Sequence, residues 1–346
     1  MSQQTSIHPA ALPRSRSSLR FWGIFSAALL AAAGLIQIGA DSGWINQYYL
    51  HIVTIIGMNV ILVASLNLLN GYLGEFALGH AGFMAIGAYT AALIATGTAW
   101  PALPGLVLSL AGAIALTGLI GYLIGLVTFK TVGDYLAIIT LGFNMIIVNG
   151  IQNLEFVGGP RGFGGIPRNT NFFAVVCGVV FTYAVLRNLI ASNYGRIWVA
   201  IRENDIAAEL MGVNIIRAKN LAFTIAAALA GLAGGLWAQY QQFITPKSFD
   251  YIKTTEILVM LYLGGMGSLS GSILGVVVYT ILMELLRNLL AFDPRLADLR
   301  MVISPLILIV IMLTRQYGLM GNKEWRWLRL KEERVEHGSH PETRAN

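Results

Sequence analysis

Two ionisable residues, Glu75 and His80, stand inside a stretch from Asn70 to Tyr89 that is otherwise apolar enough for a membrane and is interrupted by five glycines. A carboxylate at mid-bilayer costs about 2.5–3.5 kcal/mol even on the lenient insertion scale, so such groups are sheltered by protein or water. Together with Asn67 and Asn144 they are the candidate polar lining of a path through the membrane. Their chemistry would be weak binding, by groups that hold a charged or polar cargo and release it. The structural alternative places Glu75 at a membrane edge and His80 in a helix-to-helix hydrogen bond. In either role the four side chains face protein or water, because lipid-facing polar groups are costly. No zinc-ligand spacing, nucleophile motif or nucleotide-binding motif occurs in the chain.

Two further segments carry patterns of their own. Gly158, Gly159, Pro160, Arg161, Gly162 and Phe163 open a run that continues to Pro167 and is too poor in hydrophobic residues to span. It reads as a structural loop or, since function concentrates on loops held by a rigid scaffold, as a docking surface or lid for an external partner. The longest polar connection, residues 191–220, contains Arg202, Glu203, Asn204, Asp205, Ile206, Ala207, Ala208, Glu209, Leu210, Met211 and Gly212. Asn204 or Asp205 suits a helix N-cap and Gly212 suits the C′ position, with Ile206 and Leu210 one turn apart on one face. The pattern predicts a short amphipathic helix able to set an apolar face into a groove on another protein. Connections of this length are uncommon unless functional.

These segments hang on a frame that composition defines. The 346 residues are 56% hydrophobic and only 12% charged, about half the charge of a soluble domain. Residues 50–69, 103–129 and 221–240 are long enough, without an ionised group, for a bilayer core of about 30 Å. Spans are expected near 21–38, 50–69, 76–97, 103–128, 135–152, 172–190, 221–243, 254–266, 272–290 and 301–315. The fold class is therefore an all-α polytopic membrane protein of about ten helices, some short or broken. A tail over 1–20, a transmembrane domain over 21–315 and a tail over 316–346 complete it. The first span follows Arg14, Arg16 and Arg20 and reads as a retained anchor. The single cysteine, Cys177, excludes an internal disulfide. The net charge of +6 reports topology and not nucleic-acid binding: with both termini cytoplasmic, inner segments hold 16 Lys and Arg and outer segments 7.

The glycine-rich stretch Gly264-Gly-Met-Gly-Ser-Leu-Ser-Gly271 is a tight turn or a broken helix. Tyr72-Leu73-Gly74 and Tyr89-Thr90 recur 190 positions later as Tyr262-Leu263-Gly264 and Tyr279-Thr280, as in transporters built from repeats. Glycines at four-residue spacing (Gly121 and Gly125; Gly231 and Gly235; Gly267, Gly271 and Gly275) form ridges for close helix packing in a bundle and in a dimer.

In order along the chain, Ser65 to Gly74, Leu78 to Tyr89, Gly158 to Phe163, Arg202 to Gly212 and Tyr262 to Ser268 resemble the branched-chain amino-acid ABC permeases, in their LivM branch. The resemblance covers roughly residues 45–320. It implies the permease bundle of an ATP-driven importer in the bacterial cytoplasmic (inner) membrane. The implied partners are a second, LivH-like permease subunit, two ATP-binding subunits that hold ATP and Mg, and a periplasmic amino-acid-binding protein. The chain itself needs no cofactor, metal or nucleic acid and is not an enzyme. The resemblance makes 191–220 the loop that couples to the ATPase. Its Ile206-Ala-Ala-x3-Gly212 keeps the alanines and glycine of the coupling pattern but not the glutamate, which Asp205 and Glu209 flank. Urea or short amides are the alternative cargo. An ion-coupled secondary transporter is the alternative class, with Glu75, Glu256 and Glu284 as its only carboxylates near spans, and a membrane-embedded enzyme or receptor lacks any supporting constellation. From the charge asymmetry, a reporter active only in the periplasm and fused after Arg344 is expected to be silent, and an active fusion would refute the topology.

Overall fold

The computed structural model describes residues 16–44, 46–97, 100–130 and 135–290, with the short stretches 306, 309–310 and 318–320. Eleven α-helices occur among the described residues: α1 (Arg16–Asp41), α2 (Gln47–Asn67), α3 (His80–Gly97), α4 (Ala102–Thr128), α5 (Tyr135–Gln152), α6 (Phe172–Ile190), α7 (Asn193–Glu203), α8 (Asp205–Leu210), α9 (Ile215–Gln241), α10 (Tyr251–Gly264) and α11 (Leu269–Leu290). Six helical segments, α2 with its π-turn, α4, α5, α6, α9 and α11, are long and apolar enough to cross a membrane. α1 has a shorter apolar stretch, Phe25–Ala40, and α10 has only 14 residues. The protein is thus a helical, multi-span bundle. The expected tenth span, 301–315, lies outside the described residues, apart from Leu306, Ile309 and Val310.

α9 is the axle of the bundle. Its face of Ala226, Ala227, Ala230, Gly231, Ala233, Gly234 and Gly235 is buried between α3 and α4. A Cβ on Gly87 of α3 would fall on the backbone of Gly231, and one on Gly121 of α4 would meet the Ala227 side chain. Small residues are what allow backbones to approach this closely where lipid offers no hydrophobic drive to associate. The expected ridges of Gly121, Gly125, Gly231 and Gly235 are therefore used inside the chain. Gly271 and Gly275 likewise pack on Gly264. Gly267 leaves the expected ridge: it belongs to the turn between α10 and α11, at φ +78.

Two of the helices end inside the bundle, and both ends depart from the expected spans. α2 continues through a π-turn, Leu68–Leu73, and stops at Gly74 in the left-handed region, so residues 74–79 are non-helical and α3 begins at His80 rather than near 76. α10 stops at Gly264, and a four-residue turn leads to α11. From Leu73 to Gly264 is 191 positions and from His80 to Leu269 is 189, so the 190-residue echo falls on two helix–break–helix units whose boundaries agree to within one residue. Residues 318–320 return to this break end, where Leu319 and Met320 donate to the carbonyls of Leu263 and Gly264 at 2.9 and 3.1 Å. At the other end, β1 (Phe163–Gly164) pairs antiparallel with β2 (Phe243–Ile244).

The α3–α9 crossing makes a testable asymmetry. Gly87→Val is expected to lose about 1–3 kcal/mol or more by overpacking, seen as a lowered melting temperature in detergent. Gly142→Val on α5, where a side chain meets nothing within 4 Å, is expected to melt like the parent.

Candidate functional site

The break end gathers most of the residues singled out by sequence. Asn67, fully buried, links the two breaks with one carboxamide. Its Oδ1 accepts from the Gly267 amide at 2.9 Å, and its Nδ2 donates to the Ser268 carbonyl at 2.8 Å and to Ser272 Oγ at 2.9 Å. Other side chains satisfy the first break: Asn70 Oδ1 accepts from Ala77 N at 3.3 Å, and Thr140 Oγ1 accepts from Leu78 N at 2.9 Å. Non-helical backbone at membrane depth requires such partners. Gly71 leaves room for Gly267, since a Cβ there would overlap the Gly267 amide.

The remaining polar candidates divide. Glu75 forms an ion pair with Lys219 at the start of α9. His80 lies 2.7 Å through Nε2 from Ser65 Oγ. Because the Ser65 hydroxyl donates to the Leu62 carbonyl at 2.8 Å, the ring nitrogen is the donor in that contact. Asn144 is fully buried against Gly82, and neither atom of its amide has a hydrogen-bond partner among the described residues. Of the four, Asn144 alone keeps its whole side-chain hydrogen-bonding capacity free.

The 191–220 connection is two helices where one was expected. α7 is capped by Ser192, whose Oγ accepts from Tyr194 N at 3.2 Å. It buries Gly195, Trp198 and Ile201, a three-residue spacing that signals an amphipathic helix. Trp198 is fully buried and donates from Nε1 to the Ala218 carbonyl at 2.9 Å. α8 follows as the sequence predicts. Asn204 Oδ1 accepts from Ala207 N at 3.0 Å, and Gly212 closes the helix at φ +86 with its amide donating to Glu209 O at 2.8 Å. Ala208 is buried, whereas Ile206, Leu210 and Met211 are 69%, 84% and 86% exposed. Asp205 Oδ1 accepts from the Ile206 amide at 2.9 Å. Arg202 and Glu203 form an ion pair at 2.9 Å, and the second Arg202 nitrogen, Nη1, donates to the Gly71 carbonyl at 2.8 Å.

The glycine-rich loop lies at the opposite end of the bundle. Gly158, Gly159 and Gly162 take φ of +82, +51 and +87, values that favour glycine. Gly159, Pro160 and Arg161 form a single 3-10 turn, and Phe163 enters the ladder to Ile244. Pro160 and Arg161 are exposed, near Phe156 and Phe243, which are 67% and 53% exposed. Sequence reasoning missed a cluster at this end: His51 Nδ1 lies 2.9 Å from Tyr240 Oη, and the Arg168 guanidinium lies 5.5 Å over the Tyr240 ring. The members stand 72 or more positions apart, so no local pattern announces them.

The bundle has two apposed helix breaks with buried polar groups at them and an outward apolar helix. The chain matches the family of permease components of branched-chain amino acid transport systems over residues 48–312, and it belongs to that family. It is 34% identical to the high-affinity branched-chain amino acid transport system permease protein LivM of Salmonella typhimurium, over 78% of this chain and 69% of that one. It is 32% identical to the Escherichia coli K12 LivM over 86% and 74%, and 28% identical to the Escherichia coli K12 permease protein LivH over 62% and 73%. No solved structure matches the chain.

Replacing Asn67 by Leu removes three hydrogen bonds and leaves the part-buried Gly267 amide without this acceptor, while the Ser268 carbonyl keeps Ser272 N at 3.1 Å. A loss of about 1–3 kcal/mol is expected for the one group left unpaired, read as a lower melting temperature in detergent. Glu75→Gln, which keeps an oxygen that can accept from Lys219, is expected to cost less than Asn67→Leu.

Proposed function

We propose that this chain forms half of the translocation path of an ATP-driven importer for branched-chain amino acids. The observation that carries the reading is α8, a capped helix anchored by Ala208 that presents Ile206, Leu210 and Met211 to the outside, in a chain without a nucleotide-binding motif. Energy from ATP must then enter through a contact. A second permease subunit of the LivH kind would complete the path, and two ATPase subunits would carry ATP and Mg. A binding protein would deliver cargo to the Gly158–Phe163 end, where Pro160, Arg161, Phe156 and Phe243 are exposed.

The chemistry around α8 favours a protein partner over a lipid surface. Glu203, Asp205 and Glu209 flank the apolar trio, and carboxylates are repelled by anionic head groups. A protein cleft with an apolar floor and basic rim complements both features. In this orientation α7, α8 and the helix breaks face the cytoplasm of a bacterial inner membrane. α11 leaves the break end at Leu269, and Leu319 is back there beside Leu263. That return supports an even number of crossings with both chain ends inside. Among the polar candidates, Asn144 is the one we assign to the substrate path, since a free amide can trade hydrogen bonds with a passing ammonium or carboxylate.

Leu210→Asp puts an unpaired charge into the proposed cleft, which costs on the order of 3–5 kcal/mol if it is buried there. Copurification of the ATPase and ATP-driven uptake are both expected to collapse while membrane insertion persists. Gly212→Val should act more mildly: its Cβ meets nothing within 4 Å, and only the left-handed backbone opposes it. Wild-type copurification and uptake in Leu210→Asp would remove α8 from the coupling role.

A further inference from the structure

We infer that Arg202 is a positioning residue that ties the loop helices to both helix breaks and transmits movement from α8 to them, rather than a contact to the ATPase. The inference rests on the importer reading and assigns a job to a residue that the sequence pattern places in the coupling segment. Only a third of the Arg202 side chain is exposed, against 70% for its neighbour Glu203. Its stem lies along Gly74, where the ideal Cβ of any other residue would come within 2.5 Å of Arg202 Cγ. Its Nη1 donates to the Gly71 carbonyl at 2.8 Å.

That carbonyl needs a partner from outside its own helix. Gly71 lies in the last turn of the π-segment, Leu68–Leu73, and the chain departs at Gly74 with φ +81. The final carbonyls of a helix have no intrahelical donors and carry the negative end of its dipole. A guanidinium is the matching group, charged at any physiological pH and able to donate in two directions at once. Here one arm reaches Gly71 and the other Glu203. Gly71 is in turn pressed against the Gly267 amide that Asn67 holds, and a Cβ on Gly267 would meet Arg202 Nη1 at 3.5 Å. One side chain therefore touches the first break directly and borders the second.

The other end of the lever is equally defined. α7 is braced by the buried Trp198 and its bond to Ala218. A single extended residue, Asn204 (φ −163, ψ 108), joins α7 to α8. Displacement of α8 by a partner passes through Asn204 into the last turn of α7, which carries Arg202. The breaks are where the helices have fewest backbone bonds of their own, so they are the compliant elements in the bundle.

The test uses the complete importer reconstituted in liposomes, with ATP inside on the ATPase face and a branched-chain amino acid supplied on the binding protein. Arg202→Gln is expected to copurify with the ATPase and to hydrolyse ATP without binding protein as the parent does. Isotope-labelled leucine taken up per ATP hydrolysed should fall about tenfold, the scale of one lost charge-assisted hydrogen bond. Arg202→Lys, which restores a donor and the charge, should recover part of that ratio. Gly74→Ala, whose Cβ would push the arginine stem and with it the guanidinium off the Gly71 carbonyl, and would also oppose the left-handed backbone there, should uncouple in the same way. A parental uptake-to-hydrolysis ratio in Arg202→Gln or Gly74→Ala overturns the inference. So does loss of ATPase copurification in Arg202→Gln, which would make Arg202 a docking residue. Failure of the importer reading itself shows differently, as a parent complex that takes up no branched-chain amino acid when ATP is supplied.

Discussion

The constraint on which this structure depends is that helices broken inside a membrane must find hydrogen-bond partners for the backbone they expose. Two breaks, residues 74–79 and 265–268, are placed against each other, and a single carboxamide, Asn67, bonds across them. The glycines follow from that contact. Gly71 is bare because the Gly267 amide occupies the space of its Cβ, and Gly74, Gly265 and Gly267 take positive φ to turn the chain without a helix. Asn70, Thr140 and Arg202 then supply the donors and acceptors that the missing helical turns would have provided.

α9 connects that junction to the rest of the molecule. Its first turns carry Lys219, which holds Glu75, and Ala218, which receives the Trp198 bond. Its last residues feed β2 and the ladder to Phe163. At about 1.5 Å per residue, its 27 residues span about 40 Å, so one rigid element links the loop helices to the glycine-rich loop at the opposite end. The alanine and glycine face that lets α3 and α4 close on it leaves little freedom to tilt one without the others, since packed interiors deform in discrete steps and not continuously.

Much of this was legible because it rests on local chemistry. The capped helix ending at Gly212 follows from Asn204 as a cap, Ile206 and Leu210 one turn apart and a glycine at C′, and sequence places it correctly. The long apolar runs gave α2, α4, α5, α6 and α9 to within a few residues at most ends. What escaped was set by contacts distant along the chain. The span expected from 76 starts at His80, because the preceding residues are bonded to Asn70 and Thr140 instead of to a helix. α7 hid in a segment that reads as polar, although Trp198 and Ile201 mark its buried face. Arg202 reads from sequence as part of the segment that docks the ATPase, since nothing near it in sequence indicates a carbonyl 131 positions away.

The carboxylates bear on the mode of energy coupling. An ion-driven carrier needs an acidic side chain that can gain and lose its cation as the protein cycles. Here Glu75 is held by Lys219, Glu256 lies 3.3 Å from Lys253, and Glu284 accepts from Tyr48 at 2.5 Å with Arg287 at 3.4 Å. Among the described residues, each of these three acids already has a positive or hydroxyl partner, so releasing it for a cation would cost that contact. The exposed side chains of α8 pose the opposite problem. Leu210 and Met211 are more than four-fifths exposed on a helix whose cap and closing glycine hold them there, and a protein surface keeps such apolar residues together where something else covers them. Paired acids beside an apolar helix left bare are the pattern that the proposed coupling through α8 calls for.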